Sequence, residues 1–183
     1  LASLENYGLV SRTPNRSTLV TNLTGSEAAE RMRVRLALES LAFIEAAPRV
    51  TEADLQELER MAAALEDTAG RTRVEQMKMD WVFHRRVWEL SGNRTLVKTL
   101  QQLTAPVFAF LRAYQDSIVA LDLSSAEPHP KLVAALREQD INGIISSVRR
   151  HIMGARTPEV LPSNGRVLDY SALRCATGGT EPD

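Results

Sequence analysis

From Thr24 to about residue 156 the chain reads as one helix after another, and no stretch in that span alternates apolar and polar residues as a strand would. This pattern limits the possible folds sharply, because helices that carry one apolar stripe each bury those stripes by packing on one another. Thr24-Gly25-Ser26-Glu27 is a capping box that starts the first long helix. Met32, Leu36, Leu38, Leu41 and Phe43 give that helix a broad apolar face, and Pro48 ends it. Thr51 with Asp54 starts a second, on which Leu55, Leu58, Met61, Ala62 and Leu65 recur at helical spacing before Gly70. A third covers about residues 72–90. Asn93 begins a fourth, striped by Leu96, Val97, Leu100, Leu103, Val107 and Leu111 and expected to kink at Pro106.

Residues 121–128 form a connection, and Pro130 suits the first turn of a fifth helix that runs to about Gln139. Asp140 can cap a sixth, with Ile141, Ile144, Ile145, Val148 and Ile152 on one side. Gly143 loosens the start of that helix by about 1 kcal/mol relative to alanine. The expected body is therefore all-α, an antiparallel bundle of about six helices over residues 24–156. Residues 1–23 read differently, as the end of a helix closed by Gly8 and then two short strands around the turn Thr13-Pro14-Asn15-Arg16-Ser17. Residues 157–183 carry Pro, Gly, Ser and Thr with little periodicity and are expected to be a poorly ordered tail.

Composition bounds the function without choosing it. At 44% hydrophobic and 25% charged, the chain has enough apolar residues for a real core, and its net charge of -1 gives no global attraction to nucleic acid or to membrane surfaces. One cysteine, Cys175, excludes an internal disulfide and fits a reducing, cytoplasmic compartment. The first residue is Leu1, inside a helical pattern, so the chain reads as a fragment.

The chemistry concentrates in the third helix. Asp80 and His84 stand four residues apart, one turn apart on one face. The chain has only two other histidines, His129 and His151, each at or inside a later helical pattern. One carboxylate and three imidazoles make a strong ligand set for a divalent transition metal. Taken singly each has an ordinary reading: a solvated Asp/His pair, a capping His129 between two prolines, a half-exposed His151. Trp81 and Trp88, which flank the pair at helical spacing, turn its face to the core, where an unpaired aspartate is costly.

These residues also carry a resemblance. The run from Asp80-Trp-Val-Phe-His84 to Ser91-Gly92-Asn93-Arg-Thr-Leu96 closely resembles the most recognisable segment of the FCD ligand-binding domain, the C-terminal half of FadR-subfamily regulators in the GntR family. Arg35-Leu-Ala-Leu38-Glu39 resembles the family's opening-helix motif, Glu127-Pro-His129 its penultimate helix, and Arg149-Arg-His151-Ile152 its last. Leu4–Val10 and Arg16–Val20 are similar to the wing of the family's winged helix-turn-helix, with Ser17 where a glycine is usual.

The resemblance implies that Asp80, His84, His129 and His151 bind a divalent metal, zinc by default and nickel or manganese as alternatives. It implies a small carboxylate effector held by the metal and by Arg35, whose other reading is a surface arginine on an amphipathic helix. Asn93 either lines that pocket or caps its helix, and capping is the commoner role. On the wing, Arg12 and Arg16 would lie near DNA phosphates. The implied protein is a homodimeric, cytoplasmic transcription regulator rather than an enzyme. Beginning where it does, the chain is expected to sense without reading operator DNA tightly. Two rival readings are a metal-dependent helical-bundle enzyme, a hydrolase or thiol transferase with Glu127 or Glu89 as candidate base, and a metal-free helical interaction domain.

Overall fold

A computed structural model describes residues 2–12, 18–21, 23–113 and 127–154. A short helix, α1 (Ala2–Asn6), leads into strands β1 (Val10–Arg12) and β2 (Thr18–Val20). Among the described residues six helices follow: α2 (Gly25–Ala46), α3 (Glu52–Glu66), α4 (Arg73–Leu90), α5 (Arg94–Ala113), α6 (His129–Glu138) and α7 (Ile141–Met153). The six-helix bundle expected from periodicity is what forms. The residue 121–126 part of the expected connection, the residue 13–17 turn and the residue 157–183 tail lie outside the described residues.

The helix starts are fixed by local chemistry. Thr24, Thr51 and Thr72 each accept a hydrogen bond from the backbone three residues on, while Glu27, Asp54 and Glu75 reach back to the cap, so orphan donors are satisfied at three helix starts. Asp140 caps α7 by accepting from Asn142 N and Gly143 N. A Cβ at Gly143 would stand 3.0 Å from the Asp140 carboxylate, which explains a glycine inside this first turn. Helix α5 runs through Pro106 to Ala113.

Helix α2 is the axis of the bundle, packed against α4, α5, α6 and α7, while α3 lies against α4 and α6. Phe43, Leu58, Phe83, Val87, Leu132, Leu136 and Ile144 are fully buried in the main core. A second cluster forms where Ala42 and Trp88 meet Leu96 and Leu100. Arg86 on α4 ties down α3 through Asp54 and Glu57, and Arg137 on α6 does so through Glu52 and Glu59.

The hairpin pairs antiparallel, Val10 opposite Val20 and Arg12 opposite Thr18. It joins the bundle at Gly8, whose φ of +66° suits glycine. Pro106 has no N–H to offer the Gln102 carbonyl. Gly8 approaches that same oxygen so closely that a Cβ there would stand 3.3 Å from it and 3.6 Å from the Pro106 ring.

Candidate metal centre and ligand cavity

Asp80 and His84 come from α4, His129 from the first residue of α6 and His151 from the last turn of α7. The bundle brings all four together: each offers one ligand atom, and the four atoms lie within 4.8 Å of one another. His84 Nε2 is 3.1 Å from His151 Nε2 and 3.6 Å from Asp80 Oδ1, while His129 Nε2 lies 2.9 Å from Asp80 Oδ1. Phe83 stands edge-on to the rings of both His84 and His129, with centroids 5.4 and 4.9 Å away.

Three imidazole nitrogens thus converge on one carboxylate oxygen, and their other nitrogens turn outward. His84 Nδ1 faces Glu39 Oε1 of α2 in an ion pair. His151 Nδ1 donates to the Glu127 carbonyl at 2.6 Å, and His129 Nδ1 lies 3.8 Å from the Glu66 carboxylate. Fixing Nδ1 of the His84 and His151 rings determines where their Nε2 atoms point, an arrangement typical of histidines that bind metals.

The charges follow from these partners. Burial disfavours the charged form of His84, but the Glu39 and Asp80 carboxylates outweigh it and raise its pKa to about 9. Burial of His151, together with the neighbouring His84 and His129 rings, outweighs the Glu127 carbonyl and Asp80 and lowers that group to about 3. Burial would raise Asp80, yet His84 and the hydrogen bond from His129 hold it well below the usual carboxylate range. Protonated His84 donates to neutral His151, and His129 donates to Asp80, so two protons knit the centre together.

The donor set fits a divalent ion. The His84 and His151 nitrogens, 3.1 Å apart, are close enough for two bonds of about 2.1 Å to a shared ion. His84 sits 1% exposed beneath the other three, which open onto a cavity of about 330 Å³. Met32, Leu65, Met77 and Phe108 supply apolar wall, and Arg35 supplies charge. Arg35 is only 6% exposed and lies over the Phe108 ring. Its Nε donates to Glu39 Oε2 at 2.7 Å, whereas its buried Nη2 has no hydrogen-bond partner.

Of its two readings, Asn93 takes the helix cap and not the cavity wall. Asn93 accepts from Leu96 N as the cap of α5 and donates its amide to Glu45, and it is not among the cavity-lining residues. The reason is axial distance, since Asn93 follows the C-terminal end of α4 and Asp80 lies thirteen residues back, about 20 Å at the helical rise. Arg12 ends β1, and Arg16 falls outside the described residues. In the other direction, the sequence reading missed Glu39 as a site residue. Its signals were its place in the Arg35–Glu39 motif and the i,i+4 spacing from Arg35, which surface ion pairs share.

The chain belongs to the FCD domain family, which matches residues 30–154. Its fold is similar to that of E. coli McbR/YncC, with a TM-score of 0.68 at 22% identity over 82% of this chain and 76% of that one. Streptococcus agalactiae GntR gives a TM-score of 0.55 at 18% identity, covering 83% and 76% of the two chains. A transcriptional regulator (GntR family member) from Pseudomonas syringae pv. tomato str. DC3000 gives 0.57 at 20% identity, and this chain covers 82% of itself and 62% of that protein. At these identities the likeness establishes a shared fold. No curated protein matches the sequence significantly. Among the described residues no helix is long and apolar enough to cross a membrane.

Proposed function

We propose that this chain is the ligand-sensing part of a GntR-family transcription regulator of the FadR subfamily, and that Asp80, His84, His129 and His151 hold a divalent transition metal beneath an effector cavity. The observation that carries the reading is the convergence of those four ligand atoms within 4.8 Å at the base of a cavity that Arg35 also lines. When bound, the ion supplies positive charge and open coordination positions for an oxygen ligand. Zinc suits three imidazoles and a carboxylate, as do nickel and manganese in lesser degree.

The chain's own residues define the effector class. Arg35 can donate to a carboxylate through its unpaired Nη2, and Met32, Leu65, Met77 and Phe108 accept an apolar body. A small organic acid that bridges the metal and Arg35 favours one arrangement of the bundle. In a homodimer that bias changes the spacing of two DNA heads and hence operator affinity. The α1–β1–β2 segment is read as the end of the winged helix-turn-helix, with Arg12 and Arg16 on its wing near DNA phosphates, in a cytoplasmic protein. The enzyme reading has little support from its candidate bases. Glu127 is held by Arg150 at 3.0 Å and Glu89 by Arg85 at 2.9 Å.

A thermal-shift screen of mono- and dicarboxylic acids on zinc-loaded protein tests the effector class. Carboxylates that raise Tm in the wild type and not in Arg35→Met support the reading. A panel without effect on wild-type protein, or equal shifts in both, would sink it.

A further inference from the structure

We infer that Glu39 is the positioning residue of the site: one buried carboxylate orients both His84 toward the metal and Arg35 toward the effector. The inference rests on the reading proposed above and adds to it a residue that touches neither ligand. Glu39 is fully buried on α2, one turn beyond Arg35 and facing α4. Its two oxygens are divided between the two partners. Oε2 accepts from Arg35 Nε at 2.7 Å, and Oε1 takes the Nδ1 side of His84.

Each contact sets the far end of its partner. Tied at Nδ1, the His84 ring points Nε2 at Asp80 and His151. Tied at Nε, the Arg35 side chain lines the cavity with its Nη2 buried and unpartnered. The carboxylates near the other two rings do neither job so closely. Glu66 is 3.8 Å from His129 and half exposed, and Glu127 meets His151 through its backbone carbonyl.

A carboxylate is required because both neighbours donate. Glutamine presents one acceptor and one donor to those two donors, so Glu39→Gln turns an N–H against either His84 or Arg35. The metal centre and the carboxylate grip are thereby weakened by one substitution. Loss of a partner that orients a metal-binding histidine typically costs about 10–100-fold in metal affinity. Removing Arg35 as well frees the glutamine to turn its carbonyl to His84. The double variant Arg35→Met/Glu39→Gln should therefore regain zinc affinity relative to Glu39→Gln, which a merely structural role for Glu39 would not produce.

The test uses the full chain and zinc alone, titrated in competition with a chromophoric chelator. Wild type, Glu39→Gln, the double variant and Asp80→Ala are compared, each checked for helicity by circular dichroism in chelator. Expected is zinc binding about 10–100-fold weaker in Glu39→Gln, partial recovery in the double variant and loss in Asp80→Ala. Affinity in folded Glu39→Gln within about twofold of wild type would overturn the inference while leaving the metal reading intact, as would an absence of recovery in the double variant. Zinc bound by none of the four proteins, wild type included, is instead the failure of the metal reading, and the inference falls with it.

Should Glu39→Gln not fold, imidazole ¹⁵N spectra of zinc-loaded wild type decide the matter. A slowly exchanging Nδ1 proton on His84 supports the inference. A His84 ring protonated at Nε2, or with a freely exchanging Nδ1 proton, contradicts it.

Discussion

The Nε2 atoms of His84 and His151 face each other at 3.1 Å across two helices that meet nowhere in sequence. Two imidazole lone pairs cannot attract one another, so one nitrogen carries a proton. The neighbours decide which: Glu39 and Asp80 favour the charge on His84, and the His151 ring is already committed to the Glu127 carbonyl through Nδ1.

Opposite shifts in this pair predict a stability optimum for metal-free protein. His84 is raised to about 9, so its contribution is complete below its unfolded pKa of about 6.5 and is lost as pH rises through 9. His151 is lowered to about 3, so the native state resists its protonation, and stability falls as pH drops from about 6.5 toward 3. Depression of Asp80 acts in the same direction at the acid end. Melting temperature measured in chelator should peak near pH 6.5 and decline on both sides. A curve still rising from pH 7 to 9 would contradict the His84 assignment.

Asn93 should matter to the helix and not to the site. Its side chain caps α5 and holds Glu45, so Asn93→Ala should cost about 1 kcal/mol of stability. Asn93→Asp keeps the cap acceptor but sets a second carboxylate against Glu45, so it should also lower stability. Zinc affinity and the carboxylate thermal shift should be unchanged in both. A lost carboxylate response with normal zinc binding would return Asn93 to the cavity.

Phe83 supports the centre by packing alone. It is fully buried and edge-on to two of the histidine rings, so Phe83→Ala should destabilise the fold by about 3–5 kcal/mol. Phe83→Leu, which keeps most of the volume, should retain zinc with reduced affinity. Denaturant midpoints and a zinc titration check both.

Gly8 should be sensitive out of proportion to its size. Alanine there meets a left-handed backbone cost of about 1–2 kcal/mol and presses its Cβ toward the Gln102 carbonyl. Gly8→Ala is expected to loosen the junction between the α1–hairpin segment and α5, seen as faster amide exchange at Leu9 and Thr21, whose backbones are bonded. Exchange unchanged at both would show that the contact with α5 does not hold this segment.

Much of this was legible in the sequence. Thr24, Thr51 and Asp140 declare their helix starts through chemistry that acts within four residues. The four candidate ligands were legible through scarcity, since a chain with three histidines offers few ways to assemble a centre. What joins α2 to α4 was not. Glu39 looks like half of an ordinary Arg/Glu helical pair until the helix crossing buries it against His84. For Asn93 the commoner of its two readings, the helix cap, is the one the structure shows, because the length of α4 separates it from Asp80.

The most direct test of the central claim is elemental analysis of untagged protein, beside Asp80→Ala and His151→Ala. The account predicts about one divalent transition-metal ion per wild-type chain and loss of that ion in both variants. No stoichiometric metal in the wild type, together with a melting temperature unmoved by chelator, would contradict it and leave the four residues a polar cluster held by protons alone.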